Sequence, residues 1–111
     1  MGILVVGFSL LGCRIEEGID YEGGPNNVIV TKHNLSQSKC AELAAATVGG
    51  LYWTWKKNSG NGPRICLVRK TNYHRTSPPT SHTKIGDNPK DVVSGNRACG
   101  LPRKDSLLMN L

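Results

Sequence analysis

Four cysteines spread along the whole chain, Cys13, Cys40, Cys66 and Cys99, constrain what it can fold into more than any other feature. None belongs to a CxxC pair, and no Cys/His group has the spacing of zinc ligands, so no structural metal or other cofactor is expected. An even number of widely spaced cysteines in a small, loop-rich chain reads as two disulfides formed in an oxidising compartment. Four reduced, buried thiols in a cytosolic protein are the alternative. Spacing alone allows three pairings. The staples matter because there is little else to hold the fold. Of 111 residues only 38% are hydrophobic and one is Phe, which makes for a marginal core without covalent help. Thirteen Gly and six Pro add conformational entropy that folding must overcome.

The chain has room for one domain, running from residue 13 to 99, with an apolar segment (1–12) before it and a tail (100–111) after it. The first segment, MGILVVGFSLLG, is too short to span a membrane, which needs about 20 apolar residues. It has the h-region of a secretory signal without the charged n-region. A clipped or atypical signal, a remnant of a longer upstream chain and a lipoprotein signal all fit it. The last rests on Leu10-Leu11-Gly12-Cys13, and a lipid on Cys13 would exclude a disulfide there.

The clearest element is a helix over Gln37–Val48, N-capped by Ser36, stapled by Leu35 and Cys40, and stopped by Gly49-Gly50. Cys40, Leu43, Ala44 and Thr47 share its predicted inner face. In Leu51–Lys57, Leu51, Trp53 and Trp55 alternate with polar partners, the period of a strand with one buried face. A turn at residues 58–63 joins it to a second strand, Arg64–Arg69, in a hairpin. Shorter strands are expected within Arg14–Glu22, over Val28–Thr31 and over Asp91–Gly95. Lys70–Lys90 reads as a long surface loop.

Net charge is +6 and pI about 9.4, unevenly distributed. Ile15–Gly23 carries Glu16, Glu17, Asp20 and Glu22 with no base; Lys56–Arg75 carries Lys56, Lys57, Arg64, Arg69, Lys70 and Arg75 with no acid. The second run suggests a basic face for anionic partners, or simply a solvated surface. His33, His74 and His82 lie in polar sequence with no triad or metal reading, and no phosphate cradle follows a strand, so the chain is not expected to be an enzyme. Nor does it carry a nucleic-acid-binding motif. Asn34-Leu35-Ser36 matches an N-glycosylation acceptor.

The ordered set Cys40-Ala41-Glu42-Leu43, Leu51-Tyr52-Trp53-Thr54-Trp55, Cys66-Leu67-Val68-Arg69 and Val93-Ser94-Gly95…Cys99 resembles the PAN/apple family. The opening Cys13–Gly23 is similar to the start of apple domains in apicomplexan microneme adhesins. The resemblance covers Cys13 to Cys99. It implies an α+β fold, one helix packed on a small curved antiparallel sheet, with disulfides Cys13–Cys99 and Cys40–Cys66. A third family bridge would use positions 44 and 50, here Ala44 and Gly50, so the helix-to-strand turn should be looser than in relatives. The resemblance also implies a secreted or microneme-like location and a recognition role, toward surface glycans of galactose type or toward a protein partner. An acidic glycan would also suit the basic residues. The chemistry of sugar binding, an aromatic ring beside fixed donors, selects Lys57, Arg69, Lys70, Asn72, Tyr73 and His74 as candidate ligand residues.

Overall fold

The predicted helix forms as α1, Gln37–Ala46, in a computed structural model that describes residues 12–57, 63–77 and 89–102. Ser36 is extended, and its Oγ accepts from the Lys39 amide at 3.3 Å, the capping bond its position demands. The helix stops two residues early. The Thr47 amide bonds back to Ala44 O, Gly49 takes φ +81°, and Val48 is left 96% exposed. Cys40, Ala41 and Ala44 form the buried face, while Leu43 and Thr47 are half-buried. Ala41 was not among the expected inner residues. Its small side chain lets the 3-10 turn Arg97–Gly100 lie directly on the helix, where a Cβ on Gly100 would run into the Ala41 carbonyl.

α1 packs on a five-stranded antiparallel sheet ordered β1-β7-β4-β5-β3. The strands are β1 Ile15–Glu17, β3 Val28–His33, β4 Tyr52–Lys56, β5 Ile65–Arg69 and β7 Val92–Asn96. β4 and β5 are the predicted hairpin, running from Tyr52 opposite Arg69 to Lys56 opposite Ile65. The last predicted strand is not peripheral: β7 lies between β1 and β4. A separate ribbon, β2 (Asp20–Tyr21) with β6 (Arg75–Thr76), adds a piece of structure inside the supposed loop after Lys70.

The expectation of one buried face on β4 is corrected. Trp53 is buried against Cys40, Ala41, Ala44, Cys66 and Val68, and Trp55 is half-buried, its Nε1 donating to Leu35 O at 2.8 Å. Leu51 falls outside the strand and is half-exposed. Thr54, on the opposite face, is fully buried because β2 crosses over it and the Tyr21 amide donates to its Oγ1 at 3.4 Å. A strand covered on both faces keeps its alternation but hides its polar side chains as well.

Both disulfides are Cys13–Cys99 and Cys40–Cys66, closing 86 and 26 residues of chain. In the chain-entropy account such loops contribute about 4.5 and 3.5 kcal/mol. Hydrogen bonds hold the turn between α1 and β4. Gly50 N–H donates to Thr47 O at 2.9 Å, Leu51 N–H to Arg69 O at 3.2 Å, and Arg97 Nη1 reaches the carbonyls of Ala44 and Gly50. A Cβ at Gly50 would sit 2.7 Å from both Ala44 O and Val68 Cγ1, so this close approach admits only glycine. The 1–11 segment, the tail from 103, the hairpin loop 58–62 and residues 78–88, with His82, lie outside the described residues. Among the described residues no helix is long and apolar enough to cross a membrane.

Candidate functional site

The acidic and basic runs of the sequence meet each other. Asp20 Oδ1 accepts from Arg69 Nη2 at 2.7 Å, and its Oδ2 lies 3.3 Å from Lys56 Nζ. Glu16 receives Arg75 through both Nε (2.9 Å) and Nη2, and Tyr21 OH donates to Glu16 Oε1 at 2.5 Å. The Arg75 hydrogen bond holds the Glu16 carboxyl below its ordinary range, with Tyr21 adding to it against the effect of burial. Burial, then the bond to Glu16, pushes the Tyr21 phenol up. The basic face expected over Lys56–Arg75 is therefore reduced, since Lys56, Arg69 and Arg75 are bound to acids from Ile15–Gly23. Lys57, Arg64 and Lys70 are exposed and make no ion pair among the described residues.

Arg69 is withdrawn from the candidate ligand residues. It is 4% exposed and committed to Asp20, and its Nε points to Thr54 Oγ1 at 3.4 Å. Thr54 in turn shares a 2.8 Å hydrogen bond with Ser94, whose hydroxyl donates to Ile19 O at 2.7 Å. Every buried side-chain nitrogen and oxygen among the described residues finds a partner, so this polar layer is a structural seam.

Lys57 is also separated from the others. The register puts Tyr52 beside Arg69 and Lys56 beside Ile65, so Lys57 lies at the hairpin pole of the sheet and Lys70 at the opposite one. Five strand residues intervene, so the two levels are about 20 Å apart along the strands. The remaining four, Lys70, Asn72, Tyr73 and His74, lie in the short connection from β5 to β6. Lys70, Tyr73 and His74 are exposed, Tyr73 at 84%, and Asn72 is half-buried.

Asn27, at the end of the Gly23-Gly24-Pro25-Asn26-Asn27 turn before β3, holds this connection. Its buried amide accepts from the Lys70 and Thr71 amides at 3.0 and 2.8 Å and from Thr71 Oγ1 at 3.2 Å. The Nδ2 faces the carbonyls of Tyr21, Glu22 and Thr71 at 2.9, 2.7 and 3.1 Å. The one sequence signal available was its place at the end of a Gly-Gly-Pro-Asn-Asn turn, where Asn side chains bond to backbone. Asn27 thus ties the Tyr73 connection to the strand beside it.

Elsewhere, an open groove of about 410 Å³ is lined by Cys13, Ile15, Gln37, Ala41, Trp53 and Cys99. None of the candidate ligand residues lines it. Among the described residues no group of three or more His, Cys, Asp or Glu is close enough to hold a metal. Compared with protein-family models, curated proteins and solved structures, the chain matches none.

Proposed function

We propose that this chain is a non-enzymatic, extracellular recognition module of the PAN/apple type that binds carbohydrate, of galactose type or acidic, at a cell surface. The observation that carries this reading is Tyr73, an 84% exposed ring on a connection pinned by Asn27. An aromatic face takes the apolar side of a pyranose, and neighbouring donors take its hydroxyls. Lys70, Asn72 and His74 supply those donors within four positions of one another, and Lys70 adds a charge for a carboxylate or sulfate. Because Asn27 holds the start of this connection, at Lys70 and Thr71, before any ligand arrives, part of the ordering cost is already met. A site with one exposed ring binds a single sugar weakly, which suits adhesion through repeated contacts. Two disulfides fit an extracellular setting, and a secretory organelle such as a microneme is the finer form of the same proposal.

The test is a glycan array followed by calorimetry on wild-type protein and Tyr73→Ala. Binding lost in the variant, with an unchanged unfolding curve, supports the reading. Absence of any glycan signal from the folded, doubly bridged protein overturns it.

A protein partner is the second reading. It is favoured by Val48, 96% exposed, and Leu51, half-exposed, both at the Lys70 pole of the sheet beside Tyr52. A pull-down that survives Tyr73→Ala but fails with Leu51→Asp would select it.

A further inference from the structure

Asn34-Leu35-Ser36 is the only Asn-x-Ser/Thr in the chain. Asn34 is exposed, has φ +65°, and its N–H donates to Arg64 O at 2.9 Å, so the backbone leaves β3 through a fixed turn. Its side-chain amide makes no hydrogen bond among the described residues, whereas Ser36 Oγ is used as the cap of α1. The two uses of Ser36 fall at different times: acceptor recognition acts on extended chain, capping on the folded helix. The disulfides fit an oxidising compartment, of which the one that modifies such acceptors is an example.

The place of Asn34 in the fold gives the modification a consequence. β3 is an edge of the sheet, paired only with β5 among the described residues, and Thr31, Lys32 and His33 at its end are exposed. Open edges of this kind recruit further strands. The register sets His33 opposite Ile65 and Val28 opposite Arg69. Asn34 therefore stands at the hairpin pole, a strand's length from Lys70.

We propose that Asn34 carries an N-linked glycan that shields the open end of β3 and leaves the Tyr73 pole free. In the transfer, Asn34 Nδ2 forms a bond to the anomeric carbon of a lipid-diphosphate-linked oligosaccharide. The bond from that carbon to the diphosphate oxygen breaks, the lipid diphosphate leaves with the electron pair, and the nitrogen loses one proton.

The experiment expresses the full chain through the secretory route of a eukaryotic cell and maps its peptides by mass. Asn34 bearing an N-acetylhexosamine core, retained in Ser36→Thr and lost in Asn34→Gln, is the expected result. Unmodified Asn34 in secreted protein with both disulfides formed overturns the site. The shield is tested with the same wild-type sequence made without glycan in a bacterial periplasm. Light scattering should show this form associating with rising concentration while the glycosylated form stays monomeric; two monomeric forms overturn the shield.

Discussion

Asn27 and Thr71 pair as residues of adjacent strands do: Asn27 Oδ1 accepts the Thr71 amide at 2.8 Å, and Asn27 Nδ2 faces the Thr71 carbonyl at 3.1 Å. A side chain thus imitates a backbone, and it does so buried, where its polar atoms have no water to fall back on. This one amide connects the turn before β3, the end of β2 and the start of the Tyr73 connection.

Removing it should cost more than a surface hydrogen bond. Asn27→Ala leaves the amides of Lys70 and Thr71 and the carbonyl of Tyr21 without their partner, for a loss of about 2–3 kcal/mol in denaturant unfolding. Amide exchange at Lys70 and Thr71 should quicken well beyond what global destabilisation explains. Unchanged exchange there would show that the connection is held by something other than Asn27.

The pairing of Asp20 with Arg69 makes a sharper prediction. Both side chains are about 5% exposed, so Asp20→Ala strands a guanidinium in the seam beneath β2. The expected loss is about 3–5 kcal/mol. Changing Arg69→Met in the same chain should restore much of it, because the cost lies in the orphaned charge. A double variant no more stable than Asp20→Ala alone would refute this account.

The Glu16–Tyr21–Arg75 group sets the pH response of the β2–β6 ribbon. The carboxyl's folded pKa lies below its ordinary value of 4.5, chiefly because Arg75 donates to it, so its contribution is present above that pH and is lost as pH falls through the folded pKa. The phenol moves the other way: burial and the Glu16 bond raise it above 10, so its contribution is present below pH 10 and is lost as pH rises further. In unfolding measured across pH, Glu16→Gln should flatten the acid limb and Tyr21→Phe the alkaline limb. Arg75 is half-exposed, so solvent screens the pair and the acid limb should be shallow.

What could be read without coordinates was what is local. The Ser36 cap and the β4–β5 hairpin depend on residues near each other in sequence and formed where expected, while the helix stopped two residues short of its predicted end although Gly49 takes the expected positive φ. Side chains that answer to distant partners were not legible. Arg69 looks like any strand-end base until Asp20, 49 positions earlier, is seen against it. Lys57 and Lys70 are close in the hairpin's sequence, yet antiparallel pairing sends them to opposite poles. The complementary acidic and basic runs were visible as two separate facts, and joining them needed β2 to be laid over β4. Asn27 was hidden for the same reason, since its partners at Lys70 and Thr71 are 43 and 44 positions away. The disulfide pairing came from the family resemblance, because spacing alone left three choices.

The two disulfides should differ in how easily they open. Cys40 and Cys66 are fully buried between α1 and β5, whereas Cys13 is exposed and Cys99 half-buried at the edge of the open groove. A thiolate must reach a sulfur to displace its partner, so accessibility decides which bridge reacts while the fold is intact. Dithiothreitol under native conditions should therefore open Cys13–Cys99 first, with alkylation and mass mapping finding label on Cys13 and Cys99 alone. β1 should stay on β7 after that cut, because Asn96 Oδ1 still accepts the Arg14 amide at 2.9 Å and three register pairs remain. The circular dichroism of the sheet should hardly change, while the denaturant midpoint falls by the equivalent of about 4.5 kcal/mol or less. Simultaneous labelling of all four cysteines would mean that reduction proceeds only through global unfolding, and the difference in burial would then have no kinetic consequence.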